Sequence, residues 1–152
     1  MPARRRLKER LREAARALGI AALGVAEARP FAAEREVLLH RRATGLESPL
    51  EPRDLERRCS PERILPGARA IVVAAVSYHR PYPRLAAEGR DGLPRGVVAR
   101  YAWGPDYHRT LRERLRALAS FLCGEAPGAD CAVLVDTGPL VERAAAARAG
   151  VG

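Results

Sequence analysis

One stretch constrains the fold more than any other: "AIVVAAV" at residues 70–76, seven consecutive apolar residues inside "ARAIVVAAVSY" (68–78). Seven residues cannot span a bilayer, which needs about 20. A run with no polar alternate suits neither a half-solvated strand nor an amphipathic helix, so it predicts a central strand covered on both faces. The remaining elements must supply those covers. Residues 3–18 place Leu7, Leu11, Ala14 and Leu18 on one helical face, and Gly19 ends the helix. Residues 20–28 read as a strand. Pro30 opens a helix through Arg42, with Phe31, Val37, Leu38 and Leu39 as core candidates. Residues 43–52 are a Gly- and Pro-bearing loop and 53–58 a charged turn. "SPER" (60–63) is a helix start with Ser60 as cap. Beyond the apolar run come a long loop (79–96), a short strand (97–101) and a helix (105–122) with Leu111, Leu115, Leu118 and Leu122 on its inner face. A strand (131–136) and a helix from Pro139 to Ala149, closed by Gly150, complete the chain. Alternating elements of this kind predict a layered α/β (α+β) domain, with a central mixed sheet flanked by helices.

At 152 residues the chain is one domain, 1–152, long enough to remove roughly 70% of its unfolded surface from water. The basic, amphipathic N-terminus invites a transit-peptide reading, but Glu9 and Glu13 oppose it. With no secretory apolar region either, the expectation is a cytoplasmic protein, not a membrane one. A chain stopping two residues after a helix end also reads as a fragment of something longer.

The net charge of +9 is not evenly spread. Residues 1–20 carry seven basic and two acidic residues (+5), and residues 95–116 carry six and two (+4). A concentrated basic face is what a nucleic-acid partner requires. All but one of the 27 basic residues are Arg, however, which is also what a GC-rich coding sequence produces. The three cysteines, Cys59, Cys123 and Cys131, are odd in number with no close pair. They predict buried or idle thiols rather than a disulfide framework, a zinc site or an iron–sulfur site.

Two motifs carry chemistry. In "CAVLVDTGPLVERAAAARAG" (131–150) an apolar run ends on a carboxylate, Asp136, before a turn and a helix. That acid can cap the helix, or serve as a proton donor at the carboxyl end of a strand, where open sheets place ligands. "RYAWGPDYH" (100–108) packs Arg100, Tyr101, Trp103, Asp106, Tyr107 and His108 around Gly104-Pro105. Such a turn suits a flat ligand. Equally, the aromatics can plug a core edge while Asp106 caps the next helix. His40, His79 and His108 are far apart in sequence and read as ordinary surface or core residues.

Three blocks, "TGLESPLEPRDLERRCSPERILPGARAIVVAAVSY" (44–78), "GVVARYAWGPDYHRTLRERLRALASFL" (96–122) and "VLVDTGPLVERAAAARAGVG" (133–152), resemble consecutive blocks of the epoxyqueuosine reductase family. That resemblance implies an oxidoreductase of queuosine biosynthesis, using cobalamin to remove the epoxide oxygen of epoxyqueuosine at the tRNA wobble position. It implies a nitroreductase-like cobalamin-binding domain. Asp136 matches the family's proton donor and a cofactor contact. Arg58, Ala99 and the adjacent Arg100, Asp106 and Tyr107 match positions around the cofactor. A tRNA substrate makes Arg109, Arg112, Arg114 and Arg116 candidates for backbone contacts, beside the equal reading of an ordinary solvated helix face. The family's ferredoxin-like module, with two [4Fe–4S] clusters, has no counterpart in these residues, so the resemblance implies a part inactive by itself. It further implies a monomer served by an external electron donor. The alternatives are a cobalamin- or flavin-binding module, or a basic RNA-binding module, without reductase activity.

Overall fold

A computed structural model describes residues 3–79, 81, 96 and 98–151 of the chain. Helix α1 spans Ala3–Ala17, strand β1 Ala22–Glu27, helix α2 Ala32–Ala43 and the short helix α3 Leu55–Cys59. A 3-10 turn at Pro61–Arg63 leads to strand β2, Ala70–Ala75. A second 3-10 turn at Arg100–Ala102 precedes helix α4, Tyr107–Glu125, and helix α5 covers Glu142–Ala149.

The strands pair antiparallel, from Ala22 opposite Ala75 to Glu27 opposite Ala70. Alternate β2 side chains point to opposite faces. Val72, Ala74 and Val76 pack with Leu11, Ala15, Ile20 and Leu118, which belong to α1, its exit and α4. Ile71 and Val73 pack with Phe31, Cys59 and Ala145 on the other face. The apolar run is therefore continuous because both of its faces are covered, as its composition predicts. Phe31 is wholly buried, and the Arg148 guanidinium lies 3.6 Å from its ring centroid. Val37 is 60% exposed and is not a core residue.

The expected central mixed sheet is, among the described residues, a two-stranded antiparallel sheet. Residues 131–136 pair with no strand there, although Val135 is buried. Apolar patterning reports burial, whereas a strand also needs a partner's backbone groups, so the pattern alone could not decide the matter. The expected strand 97–101 fails similarly: Val97 lies outside the described residues and Arg100–Ala102 turn as 3-10. Most of the 79–96 loop lies outside them too. The charged turn at 53–58 is largely helix α3, because Asp54 caps it by accepting from the Arg57 N–H at 2.9 Å. Ser60 precedes a 3-10 turn without a side-chain cap bond.

Helix α5 closes on Gly150, whose φ of +70° lets its N–H and that of Val151 turn back to Ala147 and Ala146. The returning chain then lies against β1 at Gly24. No helix among the described residues is long and apolar enough to cross a membrane.

Candidate active site

Asp106 is the N-cap of α4 and fixes the geometry of the site. Its Oδ1 accepts from the His108 backbone N–H at 3.0 Å and lies 2.8 Å from His108 Nδ1. The imidazole is thereby oriented by its own helix cap, and its Nε2 lies 3.2 Å from Asp136 Oδ2. Tyr107 donates its phenolic proton to that same oxygen at 2.5 Å. The Tyr107 and His108 rings stack with centroids 4.0 Å apart. Tyr107 and His108, in one helical turn, thus converge on a carboxylate 29 and 28 residues away, leaving Oδ1 of Asp136 without a protein partner among the described residues.

Asp136 does not cap α5, because that helix begins at Glu142 with Val141 as N-cap. The residue instead follows buried Val135 with φ +47°, a left-handed conformation that aspartate tolerates better than most residues. Asp136 is exposed, and non-glycine residues held at positive φ cluster at functional sites.

Electrostatics reinforce the arrangement. Both His108 ring nitrogens face carboxylate oxygens, an arrangement that favours the doubly protonated ring. The hydrogen bond to Asp106 is the main reason the His108 pKa is raised, and the same bond lowers that of Asp106. The Tyr107 phenol is pushed up to about 12, chiefly by its hydrogen bond to Asp136. Glu142 is also raised, first by burial and then by the charge of Asp136.

A row of exposed rings leads away from this cluster. Tyr101 meets Tyr107 edge-on at 5.6 Å, and Tyr78 meets Tyr101 edge-on at 6.5 Å. Tyr78 and Tyr101 are 64% and 53% exposed, and neighbouring Val98 is 63% exposed. Uncovered rings and aliphatic surface beside a hydrogen-bonded acid form a surface suited to a large flat ligand.

Residues 58–137 match the family model described as "Epoxyqueuosine reductase QueG, DUF1730". The chain belongs to the epoxyqueuosine reductase family. The epoxyqueuosine reductase of Bacillus cereus is 35% identical over 146 residues, covering 96% of this chain and 38% of its own length. That of Bacillus subtilis is 37% identical, with the same coverage. A solved epoxyqueuosine reductase with an epoxyqueuosine-modified tRNA-Tyr stem loop superposes with a TM-score of 0.86 at 35% identity, over 95% of this chain and 38% of that one. A Bacillus subtilis structure, with an aspartate catalytic loop swung out of the active site, superposes at 0.81, with 33% identity and 97% and 38% coverage. The chain thus spans under two fifths of these relatives' length.

The six site residues expected from the sequence all lie within the stretch matched to the epoxyqueuosine reductase model. Asp106, Tyr107 and Asp136 are brought together. Arg100 sits on the aromatic row, its Nη1 3.0 Å from His79 Nδ1. Ala99 caps the 3-10 turn with its carbonyl, which accepts from the Ala102 N–H at 2.9 Å. Arg58 is not part of the cluster. Its guanidinium donates to Glu51 Oε2 at 2.7 Å, while its carbonyl accepts from the Val141 N–H at 3.1 Å and so tethers the start of α5. Sequence reasoning missed His108 as a partner of Asp136. Its signal was its place two residues after a capping aspartate, next to a tyrosine.

Proposed function

We propose that this chain is the cobalamin-binding, proton-donating part of an epoxyqueuosine reductase, converting epoxyqueuosine to queuosine at the tRNA wobble position. The observation that carries this reading is the convergence of Tyr107 and His108 on one oxygen of Asp136, beside an exposed aromatic row. Cobalamin fits that surface. A corrin brings its own metal and needs flat apolar cover, and the row offers rings rather than a ligand cluster. Arg58, Ala99, Arg100, Asp106 and Tyr107 are assigned to holding it, in a domain of nitroreductase-like type. When bound, cobalamin supplies through its reduced cobalt the electrons that open the epoxide.

Asp136 is the proton donor to the oxygen released from the ring. Its Oδ2 faces Tyr107 and His108 while Oδ1 is left to carry a proton towards a ligand. Once that proton is spent, His108, with Nε2 3.2 Å from Asp136 Oδ2, stands within hydrogen-bond reach to replace it. Preorganisation of this kind is what an acid catalyst needs. A relative has been seen with its aspartate catalytic loop swung out. That supports reading the unpaired 131–136 segment as the moving part here.

The substrate is a tRNA, on the strength of the relative solved with a modified stem loop. The two [4Fe–4S] clusters are assigned to the part of the relatives' length that this chain does not span, fed by an external electron donor. The setting proposed is the cytoplasm, with the chain a monomer. The test is an anaerobic titration of the purified chain with reduced cobalamin, followed in the visible spectrum. A saturable change is expected that survives Asp136→Asn and weakens in Tyr101→Ala. A folded chain that produces no change would refute the cofactor assignment.

A further inference from the structure

Sequence spacing marks the cysteines as idle and unpaired, yet Cys123 and Cys131 lie with their sulfurs 3.7 Å apart, both as half-buried free thiols. Cys123 is in the last turn of α4. Cys131 begins the stretch that ends on Asp136, and a turn through Gly128 brings it back to the helix. Cys59 belongs to the other core layer. We propose that Cys123 and Cys131 form a reversible disulfide that clamps the Asp136 segment onto α4.

Three observations carry this. A disulfide bond is about 2.05 Å long, so the sulfurs need to approach by only about 1.7 Å. Both cysteines line one open cavity of about 580 Å³, together with Arg112, Arg116, Ser120 and Asp130. The two guanidiniums suit a carboxylate-bearing small disulfide such as oxidised glutathione. Finally, the 131–135 stretch has no strand ladder among the described residues, so little backbone bonding holds it. With Cys131 bonded to Cys123, and Asp136 held by Tyr107 and His108, both ends of the stretch would be fixed to the same helix.

The oxidant is a low-molecular-weight disulfide. One protein thiolate attacks its sulfur, forming a mixed disulfide and expelling one thiolate. The second protein thiolate then attacks the protein-bound sulfur, closing the Cys123–Cys131 bond and expelling the other. The two protons lost by the cysteines go to the two departing thiolates, and the two electrons reduce the oxidant.

The experiment incubates the unaltered chain with oxidised glutathione, quenches with acid, then denatures and alkylates. One alkyl group is expected instead of three. The tryptic peptide 117–143, which holds both cysteines and no internal basic residue, should be lighter by two hydrogens. Dithiothreitol should restore both. In Cys59→Ser the link should persist, while Cys123→Ser should stop at a glutathione adduct. Three alkyl groups after excess oxidant, a stable adduct on the unaltered chain, or a link through Cys59 or between chains would overturn the proposal. The clamp has its own readout: amide exchange across 132–137 should slow by about tenfold or more on oxidation, and unchanged exchange would refute it.

Discussion

Asp136 is held by donors that each report on it separately. The Tyr107 phenol is pushed from 10.0 up to about 12, first by its bond to Asp136. A raised folded-state pKa means that the stabilisation is fully present below pH 10 and is lost as pH climbs from 10 to about 12. Asp136→Asn should return this phenol towards 10, seen as earlier tyrosinate absorbance from one of the four tyrosines while circular dichroism stays native. Superimposable titrations would mean that the bond is absent in solution. Asparagine is the right replacement, since it also tolerates the left-handed backbone at φ +47°, whereas alanine would mix strain with loss of charge. On the other side, the His108 pKa is raised above 6.5, mainly by the Asp106 bond. That contribution is fully present below pH 6.5 and disappears as pH rises through the folded value. Asp106→Asn should therefore move the His108 titration down in an NMR experiment, while the start of α4 stays formed, because an asparagine oxygen caps a helix about as well as a carboxylate. An unmoved imidazole titration would show that Asp106 acts only as a cap.

At the scale of elements, the position of α5 depends on one residue without a side chain. A Cβ on Gly24 would stand 2.4 Å from the Ala149 carbonyl oxygen and 2.6 Å from Val151 Cγ2. Gly24→Ala must push the end of α5 off β1, and should cost about 1–3 kcal/mol, lowering the melting midpoint by roughly 3–10 °C. Gly124, inside α4, is the control: a Cβ there meets nothing within 4 Å. Gly124→Ala should raise stability by about 0.5–1 kcal/mol through helix propensity. Equal melting shifts in the two variants would contradict this packing. What was legible in the sequence follows the same division. Helix faces, the Gly150 stop, the Asp106 cap and the doubly covered β2 are local or compositional facts, and they were readable. Pairing of residues 131–136 was not, because ladder formation depends on a partner elsewhere in the chain. The nearness of His108 to Asp136, and of Cys123 to Cys131, depends on where α4 lies against the 131–136 segment, which no spacing rule encodes.

For the whole molecule, the uneven charge acquires a shape. The two basic stretches of the sequence hold α1 and the first part of α4, helices that pack against each other through Leu11, Ala15 and Leu118. Not every arginine on them is available to a polyanion. Arg114 donates to the Gly19 carbonyl at 3.0 Å and joins the end of α1 to α4, Arg109 pairs with Glu113, and Arg10 pairs with Glu125. Arg112 and Arg116 instead line an open cavity on α4. If this side takes the phosphates of the proposed tRNA substrate, the arginines divide into two classes. Arg112→Ala with Arg116→Ala should weaken binding of an RNA stem loop and flatten its dependence on salt by about one unit of slope for each phosphate no longer neutralised. Arg114→Ala should lower the melting temperature while leaving that slope nearly intact, because its guanidinium serves the protein backbone. Affinity measured against salt concentration separates the two outcomes. A double variant with an unaltered slope would place the RNA on another face and leave the charge of α4 to solubility alone.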